Sequence, residues 1–292
     1  GNGQRVAFIS QATDVGPNSH VDANGQADVF LYFVDGDGGL GFPPGEVRIV
    51  SGYRPNMLQT ANAGADEYAL AISVDGRYVA YLSESSDMTT PETTYLAGPK
   101  KNAFLFDMST FVNRLVSRTV SSLTQAGDQP VVGVAMDGNG ENVLFLSSSD
   151  LMPADTFTPA VQAYRWNRLT DLTTLLSQRA DADEVGSGNL ATNQIVISRD
   201  GGAAYFTSSA SNLVAGDYNG ATDLFLVPFT TPNQVPTDIT LDNNVVVDAT
   251  PVGAIVSYLF ANDPDGGSHT WELVSGTGDT DNAKFSITTG FA

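Results

Sequence analysis

The chain repeats itself, and that constrains its fold more than any other feature. Residues 71–83, 133–147 and 196–208 each hold an apolar run, an Asp-Gly turn and a second apolar run ending in Ser. The first reads Ala71-Ile-Ser-Val-Asp-Gly-Arg-Tyr-Val-Ala-Tyr-Leu-Ser83. The Asp-Gly pairs begin at Asp75, Asp137 and Asp200, so the steps are 62 and 63 residues. Asn2-Gly3 before Arg5-Val-Ala-Phe-Ile-Ser10 is a fourth copy, 73 residues ahead of Asp75. A second landmark follows each copy. Asp22-Ala-Asn-Gly-Gln-Ala-Asp-Val-Phe30 matches Asp217-Tyr-Asn-Gly-Ala-Thr-Asp-Leu-Phe225 at five positions, and the middle copies keep Asn102-Ala-Phe104 and Gln162-Ala-Tyr164. A third is a short run ending in Ser: Val50-Ser51, Val116-Ser117 and Leu176-Ser177. Aromatic and Ser lie 21 residues apart in the first copy and 13 in the next two, and the extra 8 fall in the Gly/Pro-rich insertion 34–45.

Each unit therefore contains about four short β runs separated by turn residues. Asp-Gly between apolar runs favours a hairpin, because Gly accepts a positive φ. Helical periodicity is weak throughout. One such sheet cannot cover both of its apolar faces, so neighbouring units must stack. Four-stranded units at this period predict the blades of a β-propeller. The fold class is all-β. The first unit lacks its leading strand and the last its closing strand. Either further blades lie upstream or the arc is open, and both ends read as cut from a longer protein.

Composition narrows the chemistry. With 13 Lys plus Arg against 33 Asp plus Glu, the net charge is −20. That disfavours nucleic acid, whose phosphates need a basic face, and anionic membrane surfaces. No apolar run is long enough to span a bilayer. The absence of Cys removes disulfides, thiolate metal sites and Cys nucleophiles. His20 and His269 are the only His, too few for a His-rich zinc site, and both read as surface or turn residues. No Gly-x-Ser-x-Gly elbow occurs. Trp166 and Trp271 read as core residues.

Two stretches resemble known families. Ser73-Val-Asp-Gly-Arg-Tyr-Val-Ala-Tyr-Leu-Ser83, Ala210-Ser-Asn-Leu-Val-Ala-Gly-Asp-Tyr-Asn-Gly-Ala-Thr-Asp-Leu-Phe225 and the runs ending Val-Ser resemble TolB-like, WD-repeat-like β-propeller repeats of large exported bacterial proteins. The resemblance covers residues 1–229 and implies a scaffold that binds partners or precedes another domain, without by itself implying an enzyme. Residues 230–236, Thr-Thr-Pro-Asn-Gln-Val-Pro, read as a linker. Beyond it, Pro236-Thr-Asp-Ile, Gly253-x-Ile-Val, Ala261-Asn-Asp-Pro-Asp-Gly-Gly-Ser-His-Thr-Trp271 and Asp281-Asn-x-x-Phe-x-Ile resemble a bacterial cadherin-like domain. That resemblance covers 237–292 and implies a truncated β-sandwich, with β runs at 237–247, 251–265 and 269–274.

The cadherin resemblance implies Ca²⁺ at Asp263 and Asp265, with Asn233 the one oxygen donor of the linker that could join them. Carboxylate oxygens suit Ca²⁺, but its shell takes roughly six to eight of them. Alternatively Asp-Pro-Asp-Gly is a turn held by Asx hydrogen bonds. Asp22, Asn24 and Asp28, with Asp217, Asn219 and Asp223, are similar to the start of a calcium loop. They lack its closing Glu and flanking helices, and read as Asx turns before a strand. The expectation is a non-catalytic segment of an exported, extracellular or cell-surface bacterial protein that meets protein or glycan partners. The rival reading is the accessory or catalytic propeller of an exported hydrolase acting on glycans or peptides.

Overall fold

The computed structural model of the protein describes residues 3–15, 20–35, 42–54, 58–89, 93, 99–152, 159–180, 186–229, 238–243, 245–247, 250–262, 271–277 and 279–287. The chain divides into two compact units, Gly1–Phe229 and Thr230–Ala292.

The described residues of the first unit form four antiparallel meanders in chain order. Blade 1 is β1 (Arg5–Ser10), β2 (Asp28–Phe33) and β3 (Val47–Ile49); blade 2 is β4 (Ala65–Ile72), β5 (Tyr78–Ser83), β6 (Asn102–Asp107) and β7 (Val112–Leu115). Blade 3 is β8 (Val131–Met136), β9 (Asn142–Ser147), β10 (Gln162–Asn167) and β11 (Leu172–Leu175); blade 4 is β12 (Thr192–Ile197), β13 (Ala203–Ser208) and β14 (Asp223–Pro228). By register, β1–β3 answer to the second to fourth strands of a full blade, and β12–β14 to the first to third. β8 lies against β4 on one side and β12 on the other, and β4 against β1. The first strands of the blades thus converge while the last strands diverge, the radial stacking of a partial propeller.

Three apolar cores fill the gaps between blades. Leu31 and Phe33 of blade 1 meet Tyr81, Phe104 and Phe106 of blade 2. Ala80 and Leu105 of blade 2 meet Phe145, Tyr164 and Trp166 of blade 3. Leu144 and Leu146 of blade 3 meet Ala204 and Phe206 of blade 4, with Phe225 and Val227 against them. Sheets covered on both faces need apolar residues at every position. Accordingly all six residues of β5 and of β9 are buried. β14 instead alternates half-buried and exposed along its length, because only one of its faces is covered.

Two of the sequence landmarks turn out to be hydrogen-bond devices. The Ser after each fourth strand bridges back to the first residue of the third: Ser51 Oγ donates to Asp28 Oδ1 (2.8 Å), Ser117 Oγ to Asn102 Oδ1 (2.8 Å) and Ser177 Oγ to Gln162 Oε1 (2.6 Å). Each of these hydroxyls also accepts the next backbone N–H, from Val29 (2.9 Å), Ala103 (2.9 Å) and Ala163 (3.0 Å). The Ser ending each second strand accepts the N–H two residues on, seen at Ser10, Ser83, Ser147 and Ser208. Except at Ser10, whose partner Ala12 is exposed, both devices satisfy buried backbone donors that would otherwise be costly.

The alignment of the turns needs one correction. The left-handed glycines of these turns are Gly3, Gly76, Gly140 and Gly201. Asn139-Gly140, not Asp137-Gly138, is therefore the counterpart of Asp75-Gly76 and Asp200-Gly201, and the steps are 64 and 61 residues. Asp137 takes the place of Ser73 and Ser198. Its carboxylate accepts the N–H of Asn142 (3.0 Å), as Ser73 Oγ accepts Tyr78 N (2.9 Å) and Ser198 Oγ accepts Ala203 N (3.0 Å). The dipeptide Asp-Gly occurs in both roles, and only the position of positive φ separates them.

The described residues of the second unit hold one two-stranded antiparallel sheet, β15 (Asp238–Leu241) with β16 (Leu259–Asn262), and a 3-10 helix at Asp279–Lys284. The run expected at 269–274 is not a strand over its described part, 271–274.

Candidate functional site

The three first strands share one irregularity. Pairing shifts register between Ala65 and Leu70 in β4, between Val131 and Gly133 in β8, and between Thr192 and Gln194 in β12. A bulge at the same point of three adjacent blades re-aims side chains out of the sheet. It leaves Tyr68 94 % exposed and Val132 59 % exposed. Glu67, Asn193 and Gln194 are exposed beside them. An exposed Tyr carries a large apolar ring and a hydroxyl at small entropic cost, which suits recognition.

Charged neighbours hold the Tyr68 bulge in place. Lys101 Nζ pairs with Asp66 Oδ2 at 2.7 Å, and Asp66 Oδ1 accepts Tyr68 N–H at 2.9 Å. Burial pushes the Asp66 pKa up, but the Lys101 hydrogen bond, the Tyr68 N–H and the Lys101 charge together hold it below its ordinary value. Glu67 accepts a short hydrogen bond from Gln11 Nε2 of blade 1.

At the turns between first and second strands, the blades are tied by backbone bonds. Val74 N–H donates to Gly138 O (2.7 Å), and Gly138 N–H to Arg199 O (2.8 Å). Arg5 Nη1 adds a bond to Asp75 O (2.9 Å). Gly138 is required here, since a Cβ would lie 2.6 Å from Arg199 O. Val74, Gly138, Asn139, Ser198, Arg199 and Asp200 surround an open concavity of about 600 Å³. This end offers peptide groups and an Arg–Asp pair of side chains of opposite sign, a surface for hydrogen-bonded recognition.

The residues singled out from the sequence fall in different places. Asn233, Asp263, Asp265 and His269 lie outside the described residues. Among the described residues no group of three or more His, Cys, Asp or Glu is arranged to hold a metal ion. The Asp-x-Asn-Gly stretches are Asx turns. Asp22 Oδ1 accepts the N–H groups of Asn24 (3.1 Å) and Gly25 (2.7 Å), and Asn24 Oδ1 accepts that of Gln26 (2.6 Å). His20, expected at the surface, packs edge-on against Phe30 at 5.6 Å with both ring nitrogens buried. Trp166 is fully buried and donates to Asp171 Oδ1 at 3.0 Å. Trp271 is half-buried.

One group stands out electrostatically. Asp28 is buried at the foot of β2, and its pKa rises to about 7. Burial is the main cause; hydrogen bonds from Ser51 and Asn24 oppose it, and the nearby Asp22 charge adds to it. The bulged surface and Asp28 were not legible as sites in the sequence. The only trace of the bulge is polar Asp66-Glu67 at the head of an apolar run.

No family model matches the chain, and no curated protein matches it. Among solved structures it is similar to TolB from Acinetobacter baumannii. The two are 14% identical with a TM-score of 0.39, over 78% of this chain and 40% of that one. The β-propeller domain of the Trilobed protease from Pyrococcus furiosus is 7% identical with a TM-score of 0.30, over 73% of this chain and 58% of that one. Porphyromonas gingivalis dipeptidyl peptidase 4 is 11% identical with a TM-score of 0.32, over 68% and 36%. The chain thus spans less than two thirds of each of these proteins. The blade architecture rests on the strand order, register and packing described above. Among the described residues no helix is long and apolar enough to cross a membrane.

Proposed function

We propose that this chain is a non-catalytic interaction segment of a large exported bacterial surface protein. The supporting observation is the bulge repeated on three adjacent blades, which displays Tyr68, Val132 and Asn193 within it on a densely packed body. A surface of this kind meets protein or glycan partners through several weak contacts that add by multivalency. The reading extends to the second unit by resemblance alone: a cadherin-like module in which Asp263 and Asp265, with Asn233, would contribute oxygens to Ca²⁺. Two carboxylates leave most of the shell to backbone carbonyls and water.

Two experiments test it. The chain is applied to glycan and peptide arrays beside a Tyr68→Ala, Val132→Asp double variant. Hits lost in the double variant support the bulged surface, and hits that survive it refute that assignment. Calorimetric titration with Ca²⁺, together with melts with and without chelator, tests the metal. Binding that raises the melting temperature and disappears in Asp263→Ala, Asp265→Ala supports the calcium reading. An absence of heat and of any thermal shift refutes it.

A further inference from the structure

We propose that the outer edge of β14 is a docking site for an extended peptide segment ending in an apolar residue followed by Ser. In blades 1 to 3 that position is filled by β3, β7 and β11. With the residues that follow, these strands read Val47-Arg-Ile-Val-Ser51, Val112-Asn-Arg-Leu-Val-Ser117 and Leu172-Thr-Thr-Leu-Leu-Ser177. In blade 4 the sheet stops at β14 among the described residues.

β14 presents the groups that hold those strands elsewhere. In blades 1 to 3 the second residue of the third strand accepts an N–H from the fourth: Val29 O from Val50, Ala103 O from Val116 and Ala163 O from Leu176, each at 2.8 Å. Phe33 N–H donates to Glu46 O at 2.9 Å. Alternate residues of the third strand, Val29 and Phe33 among them, thus face the fourth. Their counterparts in β14 are Leu224, Leu226 and Pro228. Pro228 has no N–H, so the edge offers the donors of Leu224 and Leu226.

The loop before β14 already holds the shape that receives Ser51 in blade 1. Asn219 Nδ2 donates to Asp223 Oδ1 (3.2 Å) and Oδ2 (3.1 Å), and Ala221 N–H to Asn219 Oδ1 (2.7 Å). In blade 1, Asn24 Nδ2 donates to Asp28 Oδ1 (3.4 Å) and Gln26 N–H to Asn24 Oδ1 (2.6 Å). Asp223 and the Leu224 N–H are therefore placed to take a Ser hydroxyl as Asp28 and Val29 do. Leu224 and Leu226 are 70 % and 56 % exposed. With Tyr218 and Asp217 they border an open concavity of about 620 Å³ along the strand. Charge adds to the specificity. Two of the three internal strands carry Arg, at Arg48 and Arg114, and a basic residue suits a groove holding Asp217 and Asp223 on a chain of net charge −20. The recognition is strand addition to a sheet edge, with backbone bonds for affinity and the Ser for register.

The probe is a fluorescein-labelled peptide copying residues 111–118, Phe-Val-Asn-Arg-Leu-Val-Ser-Arg, titrated with the full chain by anisotropy. The expected result is saturable binding, weakened about tenfold or more by Ser117→Ala in the peptide, which leaves the protein untouched. Leu226→Pro removes an edge donor and weakens binding by a similar factor, while Leu226→Val keeps the donor and the affinity. Circular dichroism confirms that each variant is folded. No saturable binding up to about millimolar protein, or binding indifferent to both Ser117→Ala and Leu226→Pro, overturns the proposal. A dimer that the peptide does not dissociate also overturns it, because the edge would then belong to a second copy.

Discussion

Asp28→Asn is the substitution with the largest expected return. Blades 2 and 3 place Asn102 and Gln162 where blade 1 places Asp28, and all three accept a hydrogen bond from a Ser hydroxyl. An amide does this without charge, whereas a carboxyl in the same buried position holds its proton up to a pKa of about 7, against an ordinary 3.8. A raised pKa means the folded chain binds the proton more tightly than the unfolded one. The stability this confers is complete below about pH 3.8 and is lost as pH rises toward 7. At roughly 1.36 kcal/mol per pH unit, the loss from Asp28 reaches about 4 kcal/mol above neutrality. Asn at 28 keeps the acceptor for Ser51 and carries no charge at any pH. Urea unfolding of both proteins, followed by far-ultraviolet circular dichroism from about pH 4 to about pH 8, measures the difference. The variant should gain progressively on the native chain across that window, by an amount approaching about 4 kcal/mol at the upper end. A difference independent of pH would refute a protonated Asp28.

Four further substitutions have distinct expected costs. Ser117→Ala removes the hydroxyl shared by Asn102 and the Ala103 N–H and leaves a buried donor unpaired, at about 2 kcal/mol in urea unfolding. Gly140→Ala combines a φ of +68 with a Cβ 2.5 Å from the buried Tyr78 ring, for about 3 kcal/mol. Gly25→Ala, at φ +63 with nothing within 4 Å, costs about 1 kcal/mol, and thermal melts should rank the two accordingly. Arg77→Ala breaks a two-pronged pair with Asp107 at 3.0 Å on each prong. Because the Arg77 side chain is 43 % exposed, the loss should stay below about 1 kcal/mol and shrink further in high salt.

The blade order, the landmark serines and the three-stranded outer blades that the described residues form were legible in the sequence. They are set by short-range chemistry: a Ser that closes a turn, a Gly that takes positive φ, an apolar run that must be covered. The identity of each turn was less so. Asp137-Gly138 has the same two letters as Asp75-Gly76, yet Asp137 caps the turn and Gly140 bends it. The bulges were not legible, because register depends on which residue of the next strand each residue meets, and that is decided by the packed sheet rather than by local sequence. The buried state of Asp28 was hidden for the same reason. In its loop it reads as one more Asx residue, and only packing between blades removes it from water. The reading of 237–292 was carried by motif resemblance, and its described residues contain one hairpin rather than two facing sheets.

Hydrogen exchange on the full chain tests the blade account most directly. In a row of blades whose last sheet ends at β14 among the described residues, the amide of Leu226 should exchange far faster than those of its counterparts Leu31, Leu105 and Arg165, which a fourth strand covers. The doubly flanked strands β5, β6, β9 and β10 should be the slowest. Fast exchange at Leu226 with protection at the other three is the predicted result. Equal protection at all four positions, or fast exchange in β5 and β9, would contradict it.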